Sequence, residues 1–309
     1  MNFLQIESTS QKKNPQVGDK LRNLIMASIL FGVVGIGIGS IMFTSSGSII
    51  SSMEEVAKKT FPFAEDIELV KAGGDVVVEP VYVPQPPTLT GALVDASTFG
   101  SQALLIKDVE SGALLYEKRA YDAWPIASIT KLMSALVILE KTPDWTTSTQ
   151  VISDDVVDTH MYAGDTYTLE ELWRAALVGS SNKAILTLSD AVGWPRDAFI
   201  ERMNQKAREL GMADSHFTDP SGLNEGNVAT PSDILLLLSE ALSREKVQDT
   251  LLLNEHQLYS NERKKPHHMW NTNWLLLGWI THGFGDIIGG KTGYIDASGY
   301  NFTARVSDA

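Results

Sequence analysis

From Asn23 to Met53 the chain carries no charged side chain, and Leu24 to Phe43 is a 20-residue apolar run whose only polar members are Ser28 and Ser40. A helix of that length rises roughly 30 Å, about the hydrocarbon thickness of a bilayer. A buried core helix is the other reading, but so long a run without a charge is unusual in a soluble core. Lys12, Lys13, Lys20 and Arg22 precede the run, and Glu54 and Glu55 follow it. Positive charge concentrates on the cytoplasmic side of membrane spans. Residues 1–22 therefore read as a cytoplasmic tail and 23–43 as a transmembrane signal-anchor. The rest is placed on the extracytoplasmic face, periplasmic or outer. A cleaved signal peptide would have a shorter apolar region followed by a small-x-small site. Thr44 to Ser52 offers no convincing one, so an uncleaved anchor is expected. Gly35 and Gly39 form a GxxxG pair that could let two spans approach, although glycine is common in membrane helices anyway.

Residues 44–90 read as a Ser/Pro-rich stalk. Pro84, Pro86 and Pro87 favour extended polyproline II, a semi-rigid spacer. Composition then removes several functions. Asp and Glu outnumber Lys and Arg by 38 to 25, for a formal net charge of −13. Nucleic-acid binding needs a basic face to displace phosphate counterions, so no nucleic-acid partner is expected. The absence of cysteine excludes disulfides, thiolate metal sites and cysteine nucleophiles together. The six histidines include no His-x-x-x-His pair, and His267-His268 reads as an exposed loop. Neither a metal nor a cofactor is expected.

A globular pattern occupies residues 91–309. Ala103 to Lys107 and Ala113 to Lys118 flank Glu110-Ser111-Gly112 and read as a β-hairpin. Ser128 to Lys141 repeats apolar residues at helical spacing. Thr168 with Glu171 is a capping box opening a helix to Val178. Asn182 to Val192 and Pro195 to Leu210 are further helices, the second closed by Gly211. Thr230, Pro231 and Asp233 open another through Leu242. Asp286 to Tyr294 and Gly299 to Val306 form a second hairpin. Strands at both ends with helices between give an α+β class: an antiparallel sheet from both chain ends packed on helices, plus a helical subdomain.

Three short motifs carry chemistry. Ser-x-x-Lys occurs four times, starting at Ser10, Ser128, Ser180 and Ser243, so context must separate them. Ser128 follows an apolar approach and opens an apolar helix, where unpaired N–H groups and the helix dipole are positive. Lys131 lies one turn later on the same face. Apolar neighbours would lower its pKa, and a neutral amine could then take the Ser128 proton. A capping serine followed by a surface lysine is the plainer alternative. Ser180-Ser181-Asn182 falls between two helices, where Ser180 could relay a proton and Asn182 hold a carbonyl and contact Lys131. Helix capping would explain it equally. Lys291-Thr292-Gly293 sits on a strand after Gly289 and Gly290. Its cation and hydroxyl suit a carboxylate, and Gly293 would let a substrate backbone lie along the strand. An ordinary strand with a bulge glycine is the alternative.

Taken in order, with Ser-x-Asn 52 residues and Lys-Thr-Gly 163 residues after Ser128, the motifs match the arrangement of penicillin-recognising serine enzymes. The text around Ala127 to Leu139, Leu177 to Ala184, Met203 to Met212, Phe217 to Leu223 and Gly290 to Gly299 resembles the low-molecular-mass penicillin-binding, serine-type D-alanyl-D-alanine carboxypeptidase family. The resemblance covers about residues 91–309 and implies a β-lactamase/transpeptidase-like fold. It implies that Ser128 attacks the penultimate D-Ala of a peptidoglycan stem peptide and that Lys131 is the base. Ser180 and Asn182 would organise proton transfer and substrate. Lys291, Thr292 and Gly293 would hold the terminal carboxylate and backbone, and the N–H groups of Ser128 and Tyr294 would form the oxyanion hole. β-Lactam antibiotics would acylate Ser128. A D,D-endopeptidase would use the same residues, and an inactive membrane-anchored wall-binding protein would keep the fold. A β-lactamase would need a deacylating Glu, of which Glu201 is the nearest echo, on a helix. Family members usually continue with another sheet strand and a terminal helix. With the sequence ending at Ala309, either more chain follows or the sheet is short by a strand.

Overall fold

The computed structural model describes residues 83–307, apart from 89–90, 92–94, 96–97, 154–155 and 159. The expected cytoplasmic tail, membrane span and most of the stalk lie outside the described residues. Among those described, no helix is long and apolar enough to cross a membrane.

Strands β1 (Leu104–Lys107) and β2 (Leu114–Lys118) form the first hairpin. Its turn is held by Asp108, whose carboxylate accepts from the Ser111 N–H at 2.7 Å, and Gly112 takes the φ of +73° that the reversal needs. β3 (Trp124–Pro125) leads into a 3₁₀ turn, Ala127–Ile129, and then α1, Thr130–Leu139. Every residue of α1 from Thr130 to Ile138 is buried. A helix apolar on all sides belongs inside a core, and the others pack around it. These are α2 (Leu169–Leu177), α3 (Asn182–Ala191), α4 (Arg196–Glu209) and α5 (Pro231–Leu242). The capping box at Thr168 and Glu171 forms as expected, as do the Thr230 cap and Pro231 at the first turn of α5. Gly211, at φ +79°, ends α4. On α2, Trp173 is fully buried, and its indole donates to Thr250 at 2.8 Å.

The second hairpin, β9 (Ile287–Ile295) with β10 (Gly299–Val306), pairs Phe302 with Thr292 and Tyr300 with Tyr294. The sequence reading joined the two terminal hairpins into one sheet. Instead, among the described residues, all strands form separate two-stranded antiparallel ladders, and α5 packs against both β1 and β10. The sequence reading also missed β4 (Ser148–Gln150), β5 (Thr166–Thr168), β6 (Val228–Ala229), α6 (Glu245–Leu251) and the hairpin of β7 (Glu255–Ser260) with β8 (Lys265–Trp270). His267 and His268 therefore lie on a strand, not in a loop. Polar residues dominate the first halves of β7 and β8, so no apolar run marked them.

Candidate active site

The Ser128 turn is forced from two sides. Ala127 has a φ of +48°, an uncommon conformation for a residue with a side chain. Gly222 faces it at φ +85°, and a Cβ there would stand 1.9 Å from the Ala127 carbonyl oxygen. Gly293 on β9 faces the next peptide, where a Cβ would stand 2.7 Å from the Ser128 nitrogen. The empty side of Gly293 thus seats the strand against the Ser128 turn.

Lys131 is fully buried, and its Nζ lies 2.7 Å from Ser128 Oγ, 2.7 Å from Asn182 Oδ1 and 2.8 Å from the Ser221 carbonyl oxygen. Two of these partners can only accept. The third, a hydroxyl, can also donate. A neutral amine has two N–H donors and one lone pair, so it satisfies all three if Ser128 donates to nitrogen. Burial drives the amine toward that state, lowering its pKa to about 7 against the opposing pull of Asp219 and Asp158.

Both acids are committed to backbone geometry. Asp219 accepts from the N–H groups of Ser221, Gly222 and Asn224 at 2.6, 2.8 and 2.9 Å, shaping the loop that offers the Ser221 carbonyl. Burial works to raise its pKa, but these bonds hold it below the ordinary carboxylate value. Asp158 accepts from Ser181 Oγ at 2.6 Å and the Lys183 N–H at 2.7 Å. Sequence reasoning gave neither a role. Asp219 stood within a quoted motif, whereas nothing local marks Asp158.

In the second motif, Ser181 is the helix cap, accepting from the Ala184 N–H at 3.1 Å. Its neighbours are thereby released. Ser180, at φ +59°, places Oγ 2.8 Å from Lys291 Nζ, and Asn182 bridges Lys131 to the Val157 carbonyl, to which its amide donates at 2.7 Å. Lys291 is fully buried and also donates to the Thr292 carbonyl at 3.0 Å. Burial, and then the Lys131 charge, push its pKa well below the ordinary lysine value, and no acid offsets them. The Thr292 hydroxyl donates to Thr272 Oγ1 at 2.5 Å, a partner the sequence reading missed. Tyr294 is half-exposed at the rim. A separate surface cavity of about 420 Å³ is lined by Leu223, Asn224 and Glu225 together with Ile295, Asp296 and Ala297.

Ser128, Lys131 and Asn182 are therefore joined by one set of short polar contacts and Ser180, Lys291 and Thr292 by a second, and Gly293 packs directly on Ser128. The other Ser-x-x-Lys copies do not compete. Ser243 bonds its own helix end through the Glu240 carbonyl, and Ser10 lies outside the described residues. Glu201 is exposed on α4 and paired with Arg208 at 3.0 Å. Among the described residues, no three His, Asp or Glu side chains converge on a point that could hold a metal ion.

A family model described as Peptidase_S11, D-alanyl-D-alanine carboxypeptidase, matches residues 91–309. The chain is similar to a D-alanyl-D-alanine endopeptidase of Haemophilus influenzae, 33% identical over 206 residues, 65% of this chain and 68% of that one. It is also similar to the D-alanyl-D-alanine carboxypeptidase DacF of Bacillus subtilis, 27% identical over 215 residues, 66% of this chain and 53% of that one. Among solved structures it is similar to penicillin-binding protein D2 of Listeria monocytogenes in its ampicillin-bound form. That likeness has a TM-score of 0.57 at 30% identity, over 68% of this chain and 85% of that one.

Proposed function

The chain belongs to the D-alanyl-D-alanine carboxypeptidase family Peptidase S11, and from that premise we propose how its residues divide the work of removing a terminal D-Ala from peptidoglycan stem pentapeptides. Ser128 Oγ bonds to the carbonyl carbon of the penultimate D-Ala while Lys131, neutral, accepts the hydroxyl proton. The resulting oxyanion is held by the N–H groups of Ser128 and Tyr294, donors worth about 3–4 kcal/mol each in such sites. The C–N bond then breaks. The proton reaches the departing amine through Ser180, and Asn182 keeps the amine of Lys131 on line. Lys291 and Thr292 hold the terminal carboxylate, and the buried lysine's lowered pKa is relieved by that neighbouring negative charge. Water attacks the ester and frees Ser128.

The observation that carries this reading is the three-way coordination of Lys131: two obligate acceptors and one hydroxyl around a buried amine. β-Lactams present a reactive amide beside a carboxylate and would acylate the same serine. Slow release of that adduct follows from the carboxylates. Asp158 and Asp219, the acids whose charges reach Lys131, are occupied by hydrogen-bond donors, and Glu201 is held in an ion pair with Arg208, so none of these three is free to activate a deacylating water. We also propose that residues 23–43 anchor the chain as a single span, with the peptidase domain of residues 91–309 on the extracytoplasmic face. The support for this is the charge asymmetry around the apolar run.

The test is penicillin exposure of the whole protein followed by peptide mass mapping. A persistent adduct on the Ser128 peptide, absent in Ser128→Ala, is expected. An unlabelled wild type, or equal labelling of the variant, would favour an inactive wall-binding protein. A second reading, D,D-endopeptidase action on cross-links, is favoured by the Haemophilus influenzae relative and uses the same residues.

A further inference from the structure

Three tryptophans stand exposed beside the carboxylate-binding threonine. Trp270, Trp274 and Trp279 are 48%, 56% and 56% exposed, with Ile280 and Phe284 beside them in sequence at 45% each. The indoles touch in series, with ring centroids 5.7 Å apart for Trp270 and Trp279 and 6.2 Å for Trp279 and Trp274. None of the three indole N–H groups has a protein acceptor among the described residues. Contiguous aromatic surface left in water marks a binding surface more often than a packing accident.

The surface is held rigid. Asn271 and Asn273 turn inward and are buried. The Asn271 amide donates to the Leu251 and Leu253 carbonyls at 3.0 and 2.8 Å, and its oxygen accepts from the Asn273 N–H at 2.8 Å. Asn273 in turn accepts from the Leu275 N–H at 3.2 Å, and the Trp279 N–H donates to the Trp274 carbonyl at 3.0 Å. Thr272, between the two asparagines, bonds Thr292. Trp270 and Trp274 flank Thr272 at two residues on either side, so their Cα atoms lie within about 7.6 Å of it. The aromatic surface therefore starts within two residues of the Thr272 contact with Thr292.

Thr292 marks the side of the leaving group. In a pentapeptide the departing D-Ala ends at its carboxylate and cannot extend past Thr292. In a cross-link the departing amine carries a second stem peptide, which can span about 17 Å when extended. We infer that the Trp270, Trp274 and Trp279 surface binds the departing strand of a cross-linked peptide, so that the site cleaves cross-links as well as releasing terminal D-Ala; the inference rests on the serine-peptidase reading above. An anionic lipid surface is the less suited occupant, since the chain's formal net charge of −13 would oppose it.

The experiment compares Trp274→Ala, Trp279→Ala and their double variant with wild type on three reactions. These are D-Ala release from monomeric pentapeptide, cleavage of purified cross-linked dimer, and acylation by fluorescent penicillin. The expected result is a fall in kcat/KM for dimer of about tenfold or more, carried mainly by KM, with the other two reactions within twofold of wild type. Equal losses on all substrates, unchanged dimer cleavage, or a wild type that releases D-Ala but leaves dimer intact would each overturn the inference. Ser128→Ala, run in parallel, judges the catalytic reading separately: retained turnover there refutes the serine mechanism, while the dimer-to-pentapeptide ratio still decides the tryptophan surface.

Discussion

The titration of Lys131 gives the sharpest test of the mechanism. Its amine is lowered to about 7 by burial, against roughly 10.4 for a free lysine. Only the neutral form can take the Ser128 proton. With that pKa the neutral fraction is about 0.09 at pH 6, about 0.5 at pH 7 and about 0.9 at pH 8, so the acylation rate should rise about tenfold between pH 6 and 8 and then level. A free lysine would give a rise of about a hundredfold over the same interval, still climbing at pH 9. The assay is the second-order rate of fluorescent penicillin acylation at constant ionic strength, with each end point checked by intact mass. Lys131→Arg keeps a cation that does not deprotonate and should acylate negligibly at any of these pH values. A flat profile across pH 6–8, or an active Lys131→Arg, would refute the neutral-amine base. The same group has a stability signature. Between pH 7 and about 10.4 the unfolded chain holds the lysine proton and the folded chain does not. The Lys131 contribution to stability must therefore increase with pH through that window and be least favourable below pH 7.

Three further outcomes follow from named contacts. Ser180→Ala should slow acylation by about a hundredfold with an unchanged melting temperature, whereas its neighbour Ser181→Ala, losing a cap and the Asp158 bond, should cost about 1 kcal/mol or more, read in thermal melts; a reversed pattern would sink the assignment. Gly222→Ala sets a Cβ against the Ala127 carbonyl at positive φ. It should lower stability by at least about 2 kcal/mol and the melting temperature by about 5 °C, and a melt within 1 °C or so of wild type would contradict that. Penicilloyl-protein should outlast gel filtration, and rapid penicillin hydrolysis would contradict the slow release proposed from the occupied carboxylates of Asp158 and Asp219.

Local signals were strong wherever one segment held all the needed information. The capping box at Thr168 and Glu171, the Thr230-Pro231 start of α5, the Gly211 stop and both terminal hairpins could be read directly, because caps and turns are satisfied by neighbours a few residues away. The order of Ser-x-x-Lys, Ser-x-Asn and Lys-Thr-Gly picked out side chains that the fold brings together for a similar reason: it constrains residue types whose chemistry is intrinsic. Polar strands such as β7 and β8 escaped, because their residue pattern does not separate an apolar face from a wet one. Pairing between distant strands was equally hidden, since it depends on edges that meet only after collapse.

Which serine caps and which one faces the site could not be read from Ser180-Ser181-Asn182 itself. That was decided by Asp158, which reaches Ser181 from 23 residues away. Nor could the sequence say that Gly293 would be filled by the Ser128 turn, or that Thr272 would meet Thr292 and set three tryptophans beside it. Sequence determines which groups can react. The lowered pKa of Lys131 and the partners that aim it come from burial, and burial exists only once segments up to 90 residues apart exclude water together.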